Sequence, residues 1–188
     1  QTVSDALVAR RGTLGEKHID TIRSRIDLGA IYLDQGRLGD ATNELTLALK
    51  LAEEEIGEQH PYTFEALNNL ARALETQGNI KRAVEIRELG LARRSKFLDR
   101  MLWVTGENAR EGYIRLHQPE LYAYLALLAR SDDPERGKKA IEASLQRKGL
   151  LLKITSEIEQ IAQLSKDPQL SSISDGLESA RKDLAALT

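Results

Sequence analysis

The chain has 188 residues, 41% hydrophobic and 30% charged, which excludes wholesale disorder and allows one or two modules with a buried core. A net charge of −2 gives no global pull toward nucleic acid or an anionic membrane, and no apolar run approaches the ~20 residues that span a bilayer. Cysteine is absent, which removes disulfides, thiolate nucleophiles and Cys-based zinc sites and fits a reducing, cytoplasmic setting.

Ala, Leu, Glu, Arg and Lys dominate, so the expectation is helix throughout. Residues 1–14 read as the second helix of a repeat whose first helix lies upstream; Gln1 falls inside that helix, as in a piece of something longer. Gly15-Glu16-Lys17-His18 then recurs 42 residues later as Gly57-Glu58-Gln59-His60. The match continues with Thr21 and Thr63, Leu28 and Leu70, Gln35-Gly36 and Gln77-Gly78, Ala41 and Ala83, Leu49 and Leu91. Two units follow, 15–56 and 57–98, each a helix A, a glycine turn and a helix B. In the first, helix A is predicted from about Ile19 to Gln35 and helix B from Asp40 to about Ile56. In the second, Pro61 stands at the helix start, where its missing N–H is harmless, and Gly78-Asn79 makes the turn. Gly29 and Ala71 on helix A, with Ala41 and Ala83 on helix B, permit close approach; Leu28, Tyr32, Leu45 and Ala48 fill the space between. Arg87 and Gly90 break the pattern in the second helix B.

Residues 99–188 form a different helical region. Helix B of the second unit is predicted to run on to about Val104, and Thr105-Gly106-Glu107 to break it. A helix is expected over residues 108–117, and Pro119 restarts the next, up to Arg130. Ser131-Asp132-Asp133-Pro134-Glu135 is a start signal, an acidic cap with Pro in the first turn. A long helix to Leu164 follows, with Ile141, Leu145, Leu152, Ile158 and Ile161 in helical period. After a turn at Lys166-Asp167-Pro168, the residues Leu170, Ile173, Leu177, Ala180, Leu184 and Leu187 form an a/d seam. The predicted fold is all-α, a solenoid continuing into an antiparallel helical hairpin.

Leu28-Gly29, Tyr32, Gly36, Ala41, Leu45 and Ala48, with Leu67, Leu70-Ala71, Leu74, Gly78 and Ala83, resemble the tetratricopeptide repeat. The 42-residue length and the Gly-Glu-x-His lead-in resemble the kinesin-light-chain-like subclass, over residues 15–92. Farther on, Asp132-Asp133-Pro134 and the run from Ala140 through Arg147-Lys148-Gly149-Leu150 resemble the helical region before the caspase-like domain of bacterial CHAT proteins, over Phe97 to Leu187. That second resemblance implies a parent protease whose His–Cys dyad lies outside this chain, and an intramolecular contact with that missing C-terminal domain.

Several side chains invite chemistry. His18 and His60 sit at equivalent places, but helices stacked ~8–10 Å apart do not easily share one ion through ~2 Å bonds, so the competing reading is a structural histidine at each helix start. His117, before Gln118-Pro119, reads as a helix-end residue. Glu53-Glu54-Glu55 with Glu58 reads either as a solvated turn or as a patch for a cation or basic partner. Lys81, Arg82, Arg87, Arg93, Arg94, Lys96 and Arg100 give the next helix a basic bias, but they spread around it without interleaved aromatics, which argues against nucleic acid. There is no phosphate loop, nucleophile elbow or His-Glu-x-x-His, so the chain reads as non-enzymatic, with no cofactor and no metal.

The repeat resemblance implies a ligand groove along helix A, at Arg23, Ile26, Asp27, Ala30 and Leu33, then Glu65, Asn68, Asn69, Arg72 and Glu75. The candidate peptide- or protein-binding residues are Arg23, Asp27, Glu65, Asn68, Asn69 and Arg72. Asn is a mediocre helix former, so two in mid-helix suggest a polar duty, and an amide can donate to and accept from an extended backbone at once. Arg72, one turn along, suits a carboxylate; the other reading of Asn69 is a buttress for the neighbouring repeat. The functional expectation is a non-catalytic interaction scaffold, monomeric or weakly dimeric, with no nucleic acid or membrane partner. The alternative is a self-associating helical spacer without a peptide ligand.

Overall fold

The computed structural model describes residues 2–101, 112–113, 115–147, 149 and 179. In chain order the helices are α1 (Val3–Leu14), α2 (Ile19–Asp34), α3 (Leu38–Glu55), α4 (Pro61–Thr76), α5 (Ile80–Met101) and α6 (Gln118–Arg130). Residues 136–147 are also helical, and no strand occurs among the described residues.

Local chemistry explains the starts. Thr2 and Asp5 form a capping box on α1, each side chain accepting from the other residue's N–H at 3.2 and 3.0 Å. α2 and α4 are capped by histidine. His18 Nδ1 accepts from the Asp20 N–H at 3.2 Å and His60 Nδ1 from the Tyr62 N–H at 3.1 Å, both residues in extended backbone. The repeated histidine thus satisfies a donor that the first helical turn leaves open. α3 begins at Leu38, two residues before the predicted Asp40. Its N-cap, Arg37, makes no capping bond; instead its guanidinium turns to Asp40 at 2.6 Å and lies over the Tyr32 ring at 4.1 Å. Asp40 serves as a first-turn anion at the positive end of the helix rather than as its cap.

The ends of α2 and α4 use one device. Gly36 and Gly78 adopt φ +73° and +80°, and the next residue's N–H reaches back, Arg37 to the Tyr32 carbonyl at 2.8 Å and Asn79 to that of Leu74 at 2.9 Å. This six-to-one closure needs the left-handed conformation that glycine adopts without strain. Asn79 then caps α5 by accepting from the Arg82 N–H at 3.3 Å.

α2 packs on α3, and α3 on α4. Ile22, Ile26, Leu45, Ala41, Ala48 and Ala52 are buried in the first layer; Phe64, Leu67, Leu70, Ala71, Ala83, Val84 and Ile86 continue the core. Each buried large aliphatic side chain contributes about 1.5–3 kcal/mol. The α2–α3 approach is closest at Gly29, where a Cβ would lie 2.5 Å from Leu45 Cγ. Gly90 is different: a Cβ there would meet Leu67 Cδ1 at an ordinary 4.0 Å.

The chain divides into two compact units, residues 1–94 with 126–133, and residues 95–125 with 134–188. The last turn of α6 belongs to the first unit and buries Leu127 and Leu128. In the second, the Phe97 and Tyr113 rings lie 5.6 Å apart, the Tyr113 and His117 rings 4.4 Å, and Gln146 Nε2 donates to Ser95 Oγ at 2.9 Å. The helix over 136–147 starts later than predicted, with Pro134 in the turn before it and the Lys139 N–H bonded to the Glu135 carbonyl at 3.0 Å. Proline drives its preceding residue away from helical backbone, which keeps Asp133 outside the helix. Ile141 and Leu145, which keep its helical period, are 61% and 60% exposed. The continuation to Val104, the break at Thr105–Glu107, the start of the 108–117 helix, the long helix beyond residue 149, the Lys166-Asp167-Pro168 turn and the Leu170–Leu187 seam lie outside the described residues.

Candidate interaction face

α2 and α4 lie side by side and run the same way. Near their starts Arg23 Nη1 donates to Tyr62 Oη at 2.5 Å, with the guanidinium 5.0 Å from the ring centre. Near their ends Arg72 Nη2 stands 4.0 Å from Asp34 Oδ1. Gln77 Nε2 adds a bond at 2.9 Å to the Leu38 carbonyl. The end of α6 joins this row through an ion pair between Arg130 and Glu75.

Five of the six predicted binding residues fall into two groups on this face, and Asn68 turns away from it. Arg23 is exposed, stands 4.0 Å from Asp27 Oδ2, and has its pKa raised by the Tyr62 hydroxyl, with a smaller contribution from Asp27. Asp27 is half-buried and Glu65 exposed. Farther along, exposed Arg72 donates to Asn69 Oδ1 at 3.4 Å, so Asn69, Arg72 and Asp34 form one polar cluster. Asn68 faces its own helix B, its Oδ1 accepting from Arg87 Nη1 at 3.0 Å. Ile26, placed on the groove by resemblance, belongs instead to the core at 1% exposure. Helical period sets it on the stripe of Ile22 and Gly29, against α3. Tyr62, Asp34 and Arg130 were not foreseen. Tyr62, following Pro61 in the first turn of a helix A, carried a signal; Arg130 lies beyond the repeat, where no register predicts it.

The acidic run and the basic helix answer each other. Arg93 Nη1 lies 2.5 Å from Glu53 Oε1 and its Nη2 3.5 Å from Glu58 Oε1. Lys17 pairs with Glu55, Arg82 with Glu85 at 2.7 Å, and Arg94 lies over the Phe64 ring at 4.0 Å. Arg87, Arg93 and Arg94 are buried, so three of the seven basic residues of α5 are taken up inside the fold, while Lys81, Arg82, Lys96 and Arg100 stay exposed. A similar clamp holds buried Arg25 between Glu16 and Glu44, at 2.5 and 2.6 Å. Burial alone would lower the Arg25 pKa, but the two carboxylates outweigh it and raise it. The same bond from Arg25 holds Glu16 below the usual carboxylate range. Among the described residues no cluster of three or more potential metal ligands forms, and no helix is long and apolar enough to cross a membrane.

Residues 28–96 match the tetratricopeptide repeat family, and the described residues are all-α. Tetratricopeptide repeats are generally non-catalytic scaffolds that typically bind protein partners. Among solved structures, the chain is similar to a crystal structure of a single-substitution variant of a Podosopora anserina putative kinesin light chain with nearly identical TPR-like repeats, at 18% identity and TM-score 0.45, covering 82% of each chain. A second crystal structure of those repeats, without the substitution, is similar at 14% identity and TM-score 0.45, covering 98% of this chain and 84% of the other. No curated protein matches the chain.

Proposed function

We propose that this chain is a protein-interaction scaffold that binds an extended peptide segment along the shared α2–α4 face. The observation that carries the reading is the row of polar side chains on two parallel helices within a repeat segment, with Asn69 and Arg72 drawn together beside Asp34. Arg23, Asp27 and Glu65 extend the row toward the helix starts, and Asn68 sits beside it. Arg72 and Arg23 already face acidic neighbours, so the face suits a segment of mixed polarity rather than a free carboxylate tail. Peptides selected by phage display on the wild-type chain should lose at least about tenfold in affinity for Asn69→Ala and Arg72→Ala, on the order of 1.4 kcal/mol. Unchanged capture by both variants rejects this face as the groove.

The parent protein in this reading is bacterial, cytoplasmic and of the CHAT protease type, supported by the sequence likeness of residues 97–187. An intramolecular contact with the protease domain belongs to the same proposal. Exposed Ile141 and Leu145 favour a second reading, in which the chain self-associates through its second unit. Light scattering across a concentration series separates the two, since a strict monomer rejects self-association.

A further inference from the structure

Arg87 is one of the two residues that break the repeat, and its partner shows why it is tolerated. In the first repeat buried Arg25 and half-buried Glu44, 19 positions apart, form an ion pair at 2.6 Å between helix A and helix B. The next position along both helices is apolar, with Ile26 and Leu45 at 1% and 0% exposure. Adding 42 to each number gives the second repeat, where the order is inverted. Leu67 and Ile86, both buried, stand in place of the ion pair. Asn68 and Arg87 stand in place of Ile26 and Leu45, and they bond at 3.0 Å across the same 19-residue spacing. The small residue of helix A changes in step. Gly29, which has no room for a methyl against Leu45, becomes Ala71 where Leu45 becomes Arg87.

We infer that these two rungs form a matching code, in which each helix A accepts the helix B of its own repeat and refuses that of the other, whether from the same chain or a second copy. Seating α5 on α2 would set Arg25 against Ile86 and Ile26 against Arg87. Seating α3 in the place of α5 on α4 would set Leu67 against Glu44 and Asn68 against Leu45. With α5 on α2, Arg87 faces Ile26 and Arg25 keeps Glu16 but loses its second carboxylate; with α3 on α4, Glu44 faces Leu67. Each places a charge that its native partner answers against an apolar side chain, which is unfavourable. Near-repetition invites such exchange, a characteristic failure of repeat proteins. A polar pair inside an apolar seam adds little stability over an apolar one, but it specifies register, as a single buried Asn does in a coiled coil.

The test exchanges the helix-B rungs in the full chain with Glu44→Ile, Leu45→Arg, Ile86→Glu and Arg87→Leu. Each repeat is then mismatched with itself, and the Tm should fall by on the order of 10 °C. The second variant moves the helix-A side as well, adding Arg25→Leu, Ile26→Asn, Leu67→Arg and Asn68→Ile, with Ala71→Gly to make room for Arg87→Leu. It should recover most of the lost Tm although it carries more than twice as many substitutions. A first variant too unstable to fold counts as a lowered Tm, because recovery is read on the second. A first variant with the wild-type Tm, or a second that regains nothing, overturns the code.

Discussion

Alanine in place of glycine should have opposite effects at two equivalent-looking helix positions. Replacing glycine by alanine inside a helix ordinarily stabilises by about 0.5–1 kcal/mol. At Gly29 the new methyl would lie 2.5 Å from Leu45 Cγ, 2.8 Å from Cδ2 and 3.3 Å from Cδ1. Cγ is the branch point of a wholly buried side chain, so it cannot swing clear without moving α3. Overpacking of this kind costs about 1–3 kcal/mol, which outweighs the helical gain. The expected balance for Gly29→Ala is a loss of about 1–2 kcal/mol, or on the order of 2–8 °C in Tm for a chain of this size. At Gly90 the methyl would meet only Leu67 Cδ1, at 4.0 Å, so Gly90→Ala should keep the full gain and raise the Tm by on the order of 1–4 °C. Thermal and urea melts followed by circular dichroism read both. Leu45→Ala in the Gly29→Ala background should be milder than the sum of the single changes by more than about 0.5 kcal/mol. Gly29→Ala at or above wild-type stability, or strict additivity with Leu45→Ala, would refute the packing argument.

Three further outcomes follow from the caps and clamps. His60→Ala should destabilise the chain by about 1 kcal/mol, while His60→Asn, which keeps a side-chain acceptor for the Tyr62 N–H, should stay near wild type in urea melts. Glu16 is held below its ordinary value of 4.5 by Arg25, so its contribution is complete above about pH 4.5 and is lost as pH falls through the lowered folded value; Glu16→Gln should flatten that acid limb in melts across pH. Arg93→Ala leaves Glu53 and Glu58 without their shared cation, at 29% and 65% side-chain exposure, so the cost should be about 1–3 kcal/mol rather than the 3–5 of a fully buried pair, read as a lowered urea midpoint.

Much of the first unit was legible because its geometry repeats. Glycine at the left-handed turns, proline at the start of α4 and small residues between helices are each demanded by backbone or packing, and they recur at one period. The polar pairs were not legible for the opposite reason. Arg87 reads as a defect until its partner 19 residues earlier is compared with the same pair one repeat back. The basic bias of α5 suggested a surface, because composition does not reveal that Arg93 turns toward Glu53. Ile26 was misplaced because family register assigns a face without weighing the local stripe of Ile22 and Gly29. Of the candidate face, Asn69 and Arg72 were expected from the repeat resemblance together with residue type; Tyr62, Asp34 and Arg130 needed the neighbouring helix in place.

The two sides of the repeat junction differ in exposure. On the helix-B side, Arg93 and Glu53 meet at 2.5 Å with only 11% and 29% of their side chains exposed. On the helix-A side, Arg72 and Asp34 stand 4.0 Å apart, 54% and 75% exposed. Salt screens the exposed pair over a Debye length of about 8 Å at physiological ionic strength and largely spares the sheltered one. Rising ionic strength therefore weakens the Arg72–Asp34 pair more than the Arg93–Glu53 pair. Salt thus acts first on the cluster of Asn69, Arg72 and Asp34, while the Arg93–Glu53 contact on the other side of the junction is comparatively insensitive to it.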